Sequence, residues 1–190
     1  MDAFLLSILL CLLLESAGKL TVLFDALRAR YGNARSVTAG LAIALAANTA
    51  ISAAAGAYIA TMLTPEARRL FLSLALAGAA VALIMRTGRV DILQGWRLGP
   101  FLTSALGLFI LAFGESAQFI IVGLAAAYAD PWMAGTGGWL GSIGACLLMP
   151  VLRAATPDLH RGGKWLRRCG AVLLLSSAFV MAMSALRLIA

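Results

Sequence analysis

Two carboxylates stand where a carboxylate is expensive. Glu15, in Glu15-Ser16-Ala17-Gly18-Lys19, and Glu115, in Phe113-Gly114-Glu115-Ser116-Ala117-Gln118, each lie inside an apolar segment of about 20 residues, the length that spans a bilayer. Charge at that depth costs at least about 2.5–3.5 kcal/mol on insertion scales, so such residues are rarely accidental. Hard divalent cations such as Ca²⁺ and Mn²⁺ favour carboxylate, carbonyl and amide oxygens. Glu15 and Glu115 together would neutralise one dication, and Gln118, one helical turn beyond Glu115, would add an amide oxygen. Ser16, Ser116, Thr21, Asn48 and backbone carbonyls are weaker donors. A carboxylate in a low-dielectric site also binds protons more readily, so protons would compete with the metal and couple the two fluxes.

Each of these residues has a plainer reading. Lys19 follows Glu15 by four residues with the acid first, the favourable order for an ion pair within one helix. On that pairing, neutralising Glu15 would strand a buried ammonium and lower stability. Glu115 has no basic neighbour on its own helix, which favours the functional reading there. Asn48, in Ala46-Ala47-Asn48-Thr49, reads as hydrogen-bonding glue between helices. His160 sits in a basic loop and reads as solvated, and the run from Arg161 to Arg168 reads as a topology signal that touches anionic headgroups. Cys11, Cys146 and Cys169 have no metal-like spacing and read as small hydrophobes without a disulfide. The sequence carries no nucleophile–base arrangement, no phosphate loop and no cofactor motif, so neither an enzyme nor a cofactor is expected.

The elements that must position the acids are membrane helices. Hydrophobic residues make up 62% of the chain and charged residues 12%, with a mean hydropathy of +0.96, whereas globular proteins carry about 25% charged residues. The net charge of +7 is confined largely to loops between apolar segments, where topology explains it, so nucleic acid is not an expected partner. Six spans are expected, at about 3–24, 37–62, 70–85, 101–124, 135–152 and 169–188. Breakers separate them: Tyr31-Gly32-Asn33, Thr64-Pro65-Glu66, Arg86-Thr87-Gly88-Arg89, Asp130-Pro131 and Thr156-Pro157-Asp158. Tyr58, Trp96, Trp132, Trp139 and Trp165 read as interfacial aromatics near span ends. The second and fifth spans are rich in Gly, Ala and Ser, which lets helices approach closely in lipid. Eleven Lys and Arg residues fall in the first, third and fifth loops, against Arg68, Arg69 and Arg187 on the other side. The positive-inside rule then puts both termini outside the cytoplasm. A retained first helix and no targeting extension point to a bacterial inner membrane.

The chain also repeats. A shift of 97 residues lays Leu27 on Leu124, Tyr31 on Tyr128, Gly40 on Gly137 and Asn33 on Asp130. Residues 1–86 and 98–190, joined by a linker at 87–97, would each hold three spans, so the second half must enter the membrane inverted. Inverted repeats are a transporter architecture with the site at the midplane. The expected fold is an all-α integral membrane protein of six transmembrane helices in two inverted three-helix repeats. At this shift Glu15 lies opposite Ala112 and Glu115 opposite Gly18, so the two acids are not equivalent.

Over nearly its whole length the chain resembles the divalent-cation exchangers of the transmembrane-protein-165 type, found in Golgi and bacterial membranes. Their two inverted repeats each carry Glu-x-Gly-Asp-(Lys/Arg)-(Ser/Thr), usually followed by Gln. In the first repeat Glu15 matches the Glu and Lys19 the basic residue, while Ala17, Gly18 and Leu20 replace Gly, Asp and Ser/Thr. In the second, Gly114 and Gln118 match, Glu115 stands at the Asp, and Ala112, Ser116 and Ala117 replace the other positions. The Ala29-Arg30-Tyr31-Gly32 turn and the small-residue second helices add to the likeness. The resemblance implies a secondary transporter of manganese or calcium, exchanged for protons, with Glu15, Glu115 and Gln118 as metal ligands. The expected partners are the cation, protons and the lipid bilayer, with a homodimer left open. Loss of half the motif acids also admits another reading, a non-transporting paralogue that serves as a structural membrane partner.

Overall fold

The computed structural model describes residues 2–16, 18–85, 90–155 and 159–186, with the side chains of 153, 154 and 159–167 outside the description. The breakers at 86–89 and 156–158, His160 and most of the 161–168 basic run therefore lie outside the described side chains. The described elements are all helical: α1 (Asp2–Ser16), α2 (Lys19–Tyr31), α3 (Ala34–Met62), α4 (Pro65–Ile84), α5 (Gly99–Ala112), α6 (Ser116–Tyr128), α7 (Pro131–Ala155) and α8 (Leu159–Ala185).

The turn residues act as their chemistry dictates. Gly32 takes a left-handed conformation (φ +63°) after α2, and the Asn33 side chain caps α3 by accepting from the Ser36 N–H at 3.2 Å. Ala129 is left-handed after α6 (φ +53°), and Asp130 accepts from the Met133 N–H at 3.2 Å. Thr64 caps α4, whose first residue is Pro65.

Among the described residues, four helices are long and apolar enough to cross a bilayer: α3, α4, Pro131–Leu152 of α7 and Arg168–Ala185 of α8. The expected first and fourth spans are not continuous helices. Each is a pair of short helices, α1 with α2 and α5 with α6, bent by 66° and 68°. If each pair counts as one crossing, the total reaches six. Gly114 explains the second break, since its φ of +83° is closed to most L-residues and ends α5. Outward-facing Leu9, Leu74 and Phe179 are each more than 60% exposed. Apolar surface of that extent belongs in lipid.

The core lies in two clusters. One gathers Leu72, Leu76 and Leu83 of α4 with Ile120, Ile121 and Leu124 of α6 and Leu174 of α8. The other gathers Leu20, Leu23, Phe24 and Leu27 of α2 with Val37, Leu41 and Leu45 of α3 and Leu108 of α5. The small residues of α3 and α7 meet neighbouring helices at close range, as expected: Gly40 against α5, and Gly137 and Gly141 against α1. Direct bonds between helices are few, among them Ser7 Oγ to the Ala134 carbonyl at 2.6 Å and Trp139 Nε1 to the Ala42 carbonyl at 2.9 Å. Such bonds average about 0.6 kcal/mol in a membrane, so close packing of small residues dominates. Trp139 is thus a half-buried cross-link inside the bundle rather than an interfacial anchor, because it lies in the ninth position of α7 instead of near a span end. Trp132, beside the start of α7, is 81% exposed.

Part of the helix order recurs at one spacing: α1, α2 and α3 begin 97 residues before α5, α6 and α7, whereas α4 and α8, which begin at Pro65 and Leu159, depart from it. α2 and α6 begin at Lys19 and Ser116 and end at Tyr31 and Tyr128, each pair 97 residues apart. The same spacing relates the bond from Gly18 N–H to the Glu15 carbonyl and the bond from Glu115 N–H to the Ala112 carbonyl.

Candidate functional site

The two helix breaks face each other. α1 packs on α6 and α2 on α5, which brings the end of α1 to the beginning of α6. Glu15 closes α1 and is 2% exposed, and Glu115 occupies the N-cap of α6 and is half-buried. Their carboxyl groups lie close enough to interact directly across the breaks.

Neither acid is consumed by its own helix. An N-cap carboxylate usually accepts from the first N–H groups of its helix, yet the Glu115 side chain makes no cap bond. Glu15 Oε2 is buried without a hydrogen-bond partner, tucked under Gly18, where a Cβ would lie 2.8 Å from it. The expected pairing of Glu15 with Lys19 does not form, because the helix breaks between them and ends the four-residue register. Lys19 opens α2 and exerts its attraction on Glu115, in the other half of the chain.

Helix α3 bridges the second break with polar side chains. Asn48 Nδ2 donates to the Phe109 carbonyl in the last turn of α5 at 3.0 Å, while one turn on the Ser52 hydroxyl donates to Gln118 Oε1 in the first turn of α6. Asn48 is the expected interhelical glue through its amide N–H, but its buried Oδ1 has no partner. Gln118 is buried and turned onto Ser52. Ser52 was not singled out by sequence, and its spacing of four from Asn48 is the one signal that could have marked it. Thr21 satisfies its hydroxyl on the Gly18 carbonyl at 2.9 Å and Ser16 on the Leu13 carbonyl at 2.7 Å. Cys11 and Cys146 are buried within electrostatic range of Glu15, and Cys169 is exposed.

A cleft of about 430 Å³ opens beside Glu115, lined by Gly114, Ser116 and Phe119 and by Phe71, Gly78 and Ala79 of α4. Two carboxylates held this close repel one another, and a bound cation would relieve both that repulsion and the missing partner of Glu15 Oε2. Among the described residues, no three of His, Cys, Asp or Glu come within range of one metal ion. Comparison of the chain with protein-family models, with curated proteins and with solved structures finds no match.

Proposed function

We propose that the chain is a secondary transporter of a divalent metal cation, manganese or calcium, exchanged for protons, and that it belongs with the transmembrane-protein-165 type of exchanger. The observation that carries the reading is the pair Glu15 and Glu115, one at each of two facing helix breaks, interacting directly, with Glu15 Oε2 buried and without a hydrogen-bond partner among the described residues. Broken helices that meet at the middle of a bundle are how transporters bring polar groups to an ion in lipid. The neutral oxygens of Asn48, Ser52 and Gln118 supply further donors of the hard type such cations prefer.

The architecture proposed is six crossings in two inverted repeats, 1–86 and 98–190, joined by 87–97. The recurrence of helix starts, caps and break bonds at a spacing of 97 supports it. Both termini on the non-cytoplasmic side follow from the eleven-to-three Lys and Arg bias between loops, and a bacterial inner membrane is what the resemblance implies. A phosphatase fused after Ala190 is therefore expected to be active and a fluorescent protein there dark; the opposite result reverses the orientation.

The function is tested in proteoliposomes. Imposed proton gradients are expected to drive manganese or calcium across the membrane, with counterflow of protons detected by an internal pH dye. Absence of both fluxes would leave the structural-partner reading, which the lack of a three-ligand cluster among the described residues favours.

A further inference from the structure

The segment that joins the two halves is fastened to the end of α2 by one side chain. Arg30 donates to three backbone carbonyls, Leu93 at 2.6 Å, Trp96 at 2.8 Å and Gln94 at 3.2 Å. Its guanidinium also lies 4.8 Å from the centre of the Tyr31 ring, whose hydroxyl bonds Thr103 Oγ1 of α5 at 3.1 Å. The turn so held carries Leu93 in a left-handed conformation (φ +53°) that leucine seldom adopts, with its N–H on Asp91 Oδ1 at 3.0 Å.

That conformation drives the Leu93 side chain onto α5 at Gly107, where an added Cβ would lie 2.2 Å from Leu93 Cδ1. A methyl at 107 would push the tip of the leucine aside. Val90 and Leu93 thereby close over the cluster that contains Leu108, Ala112 and Cys146, the last within electrostatic range of Glu15 and Glu115. The catch itself is not repeated at that spacing, since Ala127 stands 97 residues after Arg30.

We infer that residues 90–98 form a latch, with Arg30 as its catch and Leu93 as its bolt, that closes the α2–α5 side of the bundle over the two breaks and must release for that side to open. The character of the hold suits release. All of the described bonds of Arg30 go to neutral carbonyls at an exposed site, where water replaces them readily, and the strained leucine favours departure once they are lost. Because Ala127 stands where the second half would carry the catch, the two approaches to the acids are unequal. The inference rests on the breaks being the transport site.

The test uses the native thiols of the full chain purified in detergent, with exposed Cys169 replaced by serine. Cys146 lies in the cluster under the latch, and Cys11 is buried in the other cluster, so their rates of alkylation by N-ethylmaleimide report the two regions separately. Arg30→Gln and Gly107→Ala, which removes the catch or displaces the bolt, are each expected to raise the Cys146 rate at least about tenfold, equivalent to about 1.4 kcal/mol of closing energy. Cys11 should keep its parent rate. An unchanged Cys146 rate in Arg30→Gln, a surface change that leaves the core intact, overturns the latch, and so does a parallel rise at Cys11, which would report general loosening. Labelling is read without an ion gradient, so a flat rate removes the latch alone, while absent flux removes the transport reading.

Discussion

Glu15→Gln is expected to raise the melting temperature of the purified protein while abolishing cation flux, and Glu115→Gln to abolish flux with a smaller rise. Glu15 is 2% exposed and its Oε2 has no donor. Glutamine keeps the shape, removes the carboxylate pair's repulsion, and brings an N–H₂ that can donate to Glu115. Relief of an unpaired buried polar group is worth about 1–3 kcal/mol. Glu115 is half-buried, and the cost of its burial outweighs the attraction of Lys19. Its neutralisation therefore also relieves the pair, but by less than at Glu15, because Lys19 loses a charge neighbour worth up to about 1 kcal/mol. The sequence alone suggests the reverse order, through a Glu15–Lys19 pair that the helix break prevents.

The same variants report on the ion. A cation bound only by the folded form stabilises by RT ln(1 + [L]/Kd), about 2.7 kcal/mol at a hundred times Kd. Manganese or calcium should therefore raise the parent's melting temperature. Loss of one charged ligand should weaken binding by about 2 kcal/mol, roughly thirtyfold, and remove most of that rise in either variant. Lower pH should shrink the parent's response, because protons occupy the carboxylates the metal needs. Melting curves against manganese, calcium and magnesium at two pH values decide it. An unchanged metal response in both variants would show that the acids are not the site.

Gly40→Ala and Gly137→Ala are expected to destabilise by similar amounts. A helical Gly to Ala change ordinarily stabilises by up to about 1 kcal/mol. At Gly40, however, the new methyl would stand 2.1 Å from Ser104 Oγ and 2.9 Å from both the Phe101 carbonyl oxygen and the Ala105 nitrogen. At Gly137 it would stand 2.5 Å from the Phe4 carbonyl oxygen and 3.0 Å from Ser7 Cβ. Backbone cannot swing aside as a side-chain tip can, so the helices must part, and overpacking of this kind costs about 1–3 kcal/mol. Phe4 and Ser7 precede Phe101 and Ser104 by the same 97 residues that separate the two glycines. One contact is therefore made twice, and the two losses should match. Gly78, with nothing within 4 Å, is the control and should gain or hold stability on substitution to Ala. Thermal melting in detergent measures all three, and a Gly137→Ala protein as stable as Gly78→Ala would contradict the shared contact.

What could be read from the chain alone was whatever neighbouring residues decide. Apolar runs long enough for a bilayer, the turn at Gly32 and Asn33, the caps at Thr64 and Asp130, and the small-residue faces of α3 and α7 all follow from side-chain chemistry within a few positions. Glu15 and Glu115 stood out because the cost of charge in an apolar run is itself local. What only the tertiary structure decided were the relations between distant segments. Hydropathy averaged over a whole span does not tell a straight helix from a bent pair, so it does not reveal the bends of more than 60° between Ser16 and Lys19 and between Ala112 and Ser116. Once they bend, Lys19 leaves Glu15 for Glu115, Ser52 reaches Gln118, and Trp139 turns inward onto Ala42. Arg30 reads as one more topogenic charge until residue 93, far along the chain, arrives beside it. Periodicity and composition register what each residue prefers. Which residues meet depends on how the halves dock, and the small residues that permit the docking do not by themselves name their partners.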